Sequence, residues 1–168
     1  MPNHYHTFVE EHRTLRVELV KLLAGGSAHA DFDRAVAQFP EKLHGIKPDG
    51  APHSAWELLE HLRIAQRDML DFSRNPAHKS PDWPRGYWPA TSKPPSEEAW
   101  DHSVAQFRAD LEAMKKLVEN PKSDLFAPFP HGEGQTLLRE ALQLADHNAY
   151  HLGELIFLRR LLGAWKTS

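Results

Sequence analysis

Apolar residues recur along this chain at spacings of three and four, and strict alternation of apolar and polar positions is scarce. That period predicts helices throughout. Val9, Leu15, Leu19, Leu22 and Leu23 make a first stripe, with Thr7 and Glu10 spaced as a capping box, and Gly25-Gly26 supplies a C-terminal stop. A second helix is expected from near Ser27, carrying Phe32, Ala35, Val36 and Phe39 up to Pro40. The Gly- and Pro-bearing stretch 45–52 reads as a loop. Ser54, with Glu57 three residues on, caps a helix running to about Ser73. Ser96, followed by Glu97 and Glu98, is placed to cap another, with Trp100, Val104, Phe107, Leu111, Met114, Leu117 and Val118 on its stripe. After a second Pro/Gly loop, Thr136 caps the last long helix, about 137 to 162, ending at Gly163.

Between the third and fourth helices lies a segment that is neither helix nor ordinary linker. Residues 75–95 hold Pro76, Pro81, Pro84, Pro89, Pro94 and Pro95, which forbid a continuous helix. They also hold Trp83, Tyr87 and Trp88, which argue against a solvated tether. At about 3.3 Å per residue the segment can span a bundle end to end, so the helices it joins can run parallel. The expectation is an all-α fold: a four-helix bundle of about 27–163 with a long crossover between bundle helices two and three, plus an extra N-terminal helix at about 7–24, as one domain over 1–168.

Composition narrows the function. The chain has 168 residues, no cysteine, a formal charge of −3 and 12 histidines. Without cysteine there are no disulfides, thiol nucleophiles or iron–sulfur clusters. A slightly acidic chain without a basic block has no electrostatic grip on nucleic acid. No apolar run approaches the length of a membrane span, and the opening MPNHYHTFVEEHR has no basic-then-apolar leader pattern, so a soluble cytoplasmic protein is expected. The histidines are several-fold in excess of ordinary usage.

Among them His147 and His151 are four apart in the last helix, a spacing that points two imidazoles the same way. Twelve scattered histidines would produce roughly 0.8 such pairs by chance, so direction matters more than spacing. At 100° per residue both lie within about 60° of Leu144, Leu155, Leu158 and Leu162. They therefore face the core, while Arg139, Asp146, Arg159 and Arg160 lie off that stripe. His61 lies within about 80° of Leu58, Ala65, Met69 and Phe72 on its own helix and faces the core as well. Each buried imidazole has a donor and an acceptor to satisfy. Two readings meet that need: one divalent ion shared by all three, with open coordination positions, or three ordinary buried histidines bonded to water or carboxylates. Glu57, Asp68, Glu140 and Glu154 lie near the same faces and are able to orient an imidazole or move a proton; as simple surface charges they need no such role. Asn148 and Tyr150 point elsewhere, to packing or an interface. His53 precedes the Ser54 cap, where it can approach the mouth of such a site or lie exposed. His4, His6 and His12 have no apolar face to enter, and His78, His102 and His131 fall in or near loops or on a helix edge. Glu41 and His44 form a lone Glu-x-x-His, half of what a di-iron bundle needs. No His-Glu-x-x-His, phosphate loop or nucleophile elbow occurs.

HSAWELLEHLRIAQRDMLDFSRN and ADHNAYHLGELIFLRRLLGAW together resemble the second and fourth bundle helices of the DinB/YfiT-like superfamily. The likeness rests on Leu-Leu-Glu-His-Leu upstream and His-x-x-x-His-Leu-Gly downstream, and covers most of the chain from about residue 27 onward, the Pro- and Trp-rich crossover included. It implies a divalent metal (zinc, nickel or iron) on His61, His147 and His151, and a homodimer. Relatives include transferases and isomerases that use low-molecular-weight thiols, so a hydrolase or thiol S-transferase acting on a small molecule is expected, with Glu57 and Glu154 as candidate catalytic groups. Any thiol must come from outside, since the chain has none. Trp83, Tyr87 and Trp88 either wall the pocket or merely anchor their own loop. The alternative is a non-catalytic, metal-stabilised dimeric binding or structural protein, its site closed by Glu57 or Glu154. The family name's association with DNA damage implies no DNA binding here.

Overall fold

A computed structural model of the chain describes the backbone of residues 4–165 and the side chains of residues 12–165. Five α-helices follow one another: α1 (His4–Ala24), α2 (Phe32–Val36), α3 (Ala55–Arg74), α4 (Ala99–Glu119) and α5 (Leu137–Leu161). Two 3₁₀ turns, Glu41–Leu43 and Arg85–Tyr87, interrupt the connections. There is no β-sheet among the described residues, only an isolated bridge between Pro128 and Thr136. The all-α expectation holds. No helix among the described residues is long and apolar enough to cross a membrane.

Local signals explain most boundaries. Ser54 accepts from the Glu57 amide while the Glu57 carboxylate accepts from the Ser54 amide at 2.8 Å, a full capping box for α3. Thr136 caps α5 through the Arg139 amide, and Gly163, at φ +66°, takes the left-handed conformation that ends it. Gly25 at φ +70° ends α1 in the same way. Ser96 is not a cap, because α4 begins only at Ala99, after a tight turn in which the Ala99 amide bonds the Ser96 carbonyl. Nor is Thr7 a cap, since α1 already runs from His4; the side chains of His4, His6, Thr7, Val9 and Glu10 lie outside the described residues.

The helix expected over 27–39 is the main departure. Only Phe32–Val36 is helical, capped by Asp31 rather than Ser27. Two successive positive-φ glycines throw the chain into bends, and Gln38 at φ +50° ends the helix before Phe39. Arg159 then takes over the exposed carbonyls, donating to Ala35 at 2.6 Å and Ala37 at 3.0 Å while lying over the Phe39 ring. The N-terminal α1 is the fourth long helix of the bundle. It packs on α4 and α5, where Leu19 and Leu23 are buried with Met114, Val118, Leu137 and Leu144.

Hydrogen bonds fix the helix directions. Glu60 meets Ser103, Gln66 meets the Phe107 carbonyl and Arg67 meets Asp110, so α3 and α4 run parallel. His61 meets His151 and Gln66 meets Asn148, so α3 and α5 run antiparallel. The Pro- and Trp-rich segment is thus the crossover that parallel neighbours require. Midway along the bundle, Gln66 donates to the Phe107 carbonyl at 2.7 Å and accepts from Asn148 at 3.1 Å. This polar tie joins α3, α4 and α5 between two apolar clusters.

Candidate metal centre

The capping box starts α3 at a fixed register, and two turns in it delivers His61 to the interface with α5. There it meets His147 and His151, one turn apart on α5. His61 Nε2 lies 3.0 Å from His147 Nε2 and 3.1 Å from His151 Nε2. The three sequence-predicted histidines are brought together, with one ligand atom from each within 4.8 Å of the others.

The outer nitrogens decide what the inner ones can do. His61 Nδ1 faces the Tyr87 carbonyl at 2.9 Å; a carbonyl only accepts, so this nitrogen carries the proton and donates. His151 Nδ1 donates to the Glu154 carboxylate at 2.6 Å. Both Nε2 atoms therefore present bare lone pairs to each other at 3.1 Å, a contact that no hydrogen bond explains. His147 Nδ1 is buried without a partner. Nitrogens bound at about 2.0–2.1 Å around a tetrahedral ion would be about 3.3 Å apart, close to the spacings seen. The donor set fits a divalent ion of borderline softness, and the three histidines could hold one.

Electrostatics keep the rings neutral, as ligation requires. Burial, reinforced by the neighbouring His151 and His61, pushes the His147 pKa down to about 4. Burial, with His61 and His53 adding to it, pushes His151 down to about 4. His61 is lowered as well, mainly by burial, against the pull of the Tyr87 carbonyl.

The crossover braces the site. Trp88 is stacked on His61 at 4.0 Å and 3°, and His53 stacks on the other face of Trp88 at 3.9 Å. Tyr87 gives its carbonyl to His61 and its hydroxyl to Asp68, whose other oxygen takes the His78 Nε2 at 2.7 Å. Burial and Asp68 together push the Tyr87 hydroxyl up to about 12, so it stays a donor. Both readings of the aromatic segment thus apply: Tyr87 and Trp88 anchor the loop by touching the site, while Trp83, 80% exposed, stands at the rim. His78 and Tyr87 escaped sequence reasoning as contacts of Asp68, because only tertiary packing brings the loop to α3.

Glu57 is spent on the capping box and on an ion pair with Lys47 at 2.8 Å, so its carboxylate serves the α3 terminus. Glu154 sits behind His151, on the nitrogen facing away from the cluster. Asn148 is buried and bonded to Gln66, and Tyr150 is exposed with its ring edge-on to His151 at 4.9 Å, so the expectation that both point elsewhere does not hold for Tyr150. His44 is a core residue, stacked on Trp100 and bonded to the Phe39 carbonyl. His131 bonds the Phe72 carbonyl.

A cavity of about 430 Å³ opens onto the three histidines, walled by Met69, Phe72, Trp83 and Tyr87 and bearing Asp68 and Glu140. A model of the DinB superfamily matches residues 26–155. The chain belongs to the DinB superfamily. The matched stretch takes in α2 to most of α5, and with them all three histidines, whereas α1 precedes it. Among curated proteins and solved structures none matches the chain.

Proposed function

We propose that this DinB-superfamily chain is a metal-dependent enzyme, a hydrolase or thiol S-transferase, whose divalent ion sits on His61, His147 and His151. The observation that carries the reading is the bare-nitrogen contact between His61 and His151, with the outer nitrogen of each ring fixed by a protein acceptor. Such an ion, when bound, lowers the pKa of a coordinated water or low-molecular-weight thiol so that the nucleophile is available at neutral pH.

The chain's own residues supply the rest. The Tyr87 carbonyl and the Glu154 carboxylate hold the tautomers that turn Nε2 inward, and Asp68 holds Tyr87. Trp88 covers one face of His61 and limits water there. The cavity supports an open coordination position rather than a closed structural site: of the two carboxylates that could have closed it, Glu57 caps α3 and Glu154 lies behind His151. A homodimer is part of the proposal, as the family likeness implies; Phe157 and Leu161 on α5 are exposed apolar side chains such a contact would cover.

Elemental analysis of protein purified without a histidine tag tests the ligand set. The wild type should carry close to one divalent ion per chain, and His147→Ala should reduce that at least tenfold while retaining its helical circular-dichroism spectrum. A loaded form that turns over neither thiol-transfer nor hydrolase substrates would favour the structural alternative.

A further inference from the structure

The cavity has two chemically different ends. Asp68 follows His61 by seven residues on α3, and Glu140 precedes His147 by seven on α5. Seven residues are almost two whole turns, so each carboxylate points within about 20° of its histidine's direction, about 10 Å along the axis. Because α3 and α5 run antiparallel, the two offsets point the same way. Both carboxylates line the cavity that the histidines line, and they lie close enough that Asp68 acts electrostatically on Glu140.

The two are not equivalent. Asp68 is fully engaged, one oxygen with His78 and the other with Tyr87. Glu140 is only 6% exposed, yet its carboxylate makes no hydrogen bond or ion pair among the described residues. Neighbouring Arg139, which lines the same cavity, makes no ion pair with it and acts on it only through its charge. Burial of the residue raises the pKa of this unbonded carboxylate, with Arg139 opposing the shift and Asp68 adding to it. Nothing in the packing of α5 uses it: Leu137, Ala141 and Leu144 supply the core contacts of this turn.

We infer that Glu140 is the specificity-determining residue of the cavity, holding the ammonium group of a primary-amine substrate whose reacting atom lies at the histidine end. The inference deepens the metalloenzyme reading and rests on it for the identity of the reacting end. A substrate of this class carries an amine at one end of a short chain and a nucleophilic or cleavable group at the other. The ammonium supplies the directly bonded counter-charge that Glu140 lacks, Arg139 acting on it only through its charge, and the apolar wall of Met69 and Phe72 accommodates the chain between.

Isothermal titration with simple probes separates the two ends. n-Hexylamine and n-hexanol differ only in the head group offered to Glu140. Wild-type protein should bind the amine at least about tenfold more tightly than the alcohol, as a charge-assisted hydrogen bond in a half-enclosed site provides. Glu140→Gln, nearly the same shape, should bring the ratio below about twofold with the hexanol affinity unchanged. Equal binding of both probes by the wild type overturns the inference, and so does a preference that survives in Glu140→Gln. The wild-type comparison decides by itself should the variant not fold. 1-Hexanethiol, titrated with and without one equivalent of zinc, tests the other end. Thiol binding that ignores zinc would count against the metal reading while leaving the amine result standing.

Discussion

At the scale of single residues, the site is a problem of protons. Three imidazoles meet at their Nε2 atoms, and the groups behind two of them remove the protons that would otherwise bridge the contacts. Glu154 is the positioning residue among these groups, since its charge raises the basicity of the His151 ring it accepts from. Glu154→Gln keeps an acceptor oxygen but loses the charge. It should weaken zinc binding about tenfold in a competition titration. Glu57→Gln, which alters the α3 cap instead, should leave zinc affinity unchanged. The pair of His147 and His151 was legible in the sequence because helical geometry dictates where residues four apart point. The engagement of Glu57 with Lys47 was not, since a carboxylate near a helix start looks the same whether it caps, pairs with a loop lysine or serves a site.

At the scale of elements, the bundle is held in register by a few polar ties across apolar faces. Gln66 is fully buried and bonds both α4 and α5. Gln66→Ala removes two hydrogen bonds, leaves the Asn148 amide without its acceptor and opens a cavity. A loss of about 2–3 kcal/mol is expected, read as a fall in melting temperature of about 5–10 °C. The crossover's proline content announced a chain that spans rather than coils, and its parallel neighbours follow. Which of its carbonyls would face His61 depends on how 75–98 drapes over α3, a matter of long-range contact. Residues 27–39 show the opposite failure. Their apolar spacing suits a helix, but two left-handed glycines and the Asp31 cap leave only Phe32–Val36, and the bundle position is filled by α1.

For the whole molecule, the buried histidines link stability to pH. His147 and His151 are held at about 4 in the folded protein, below the ordinary value near 6.5. Between those values the unfolded chain binds more protons, so stability rises with pH across that window. It is fully present above about pH 6.5 and is lost as pH falls toward 4. Metal-free protein should therefore melt at least about 5 °C lower at pH 5 than at pH 7.5 in a calorimetric scan. A melting temperature flat over that range would mean that the rings are not buried neutral.

What the sequence determined by itself was whatever depends on near neighbours along the chain: the helical period, the caps at Ser54 and Thr136, the stop at Gly163, the proline-barred crossover and the inward direction of three histidines. These follow from backbone geometry repeating every 3.6 residues. Only the tertiary structure decided the convergence of His61 with the α5 pair, the Tyr87 carbonyl and Trp88 ring that brace it, the ties of His78 to Asp68, and the unbonded carboxylate of Glu140. Those depend on where an irregular segment and antiparallel helices meet, and no local periodicity encodes a meeting between residues some 10 to 90 positions apart.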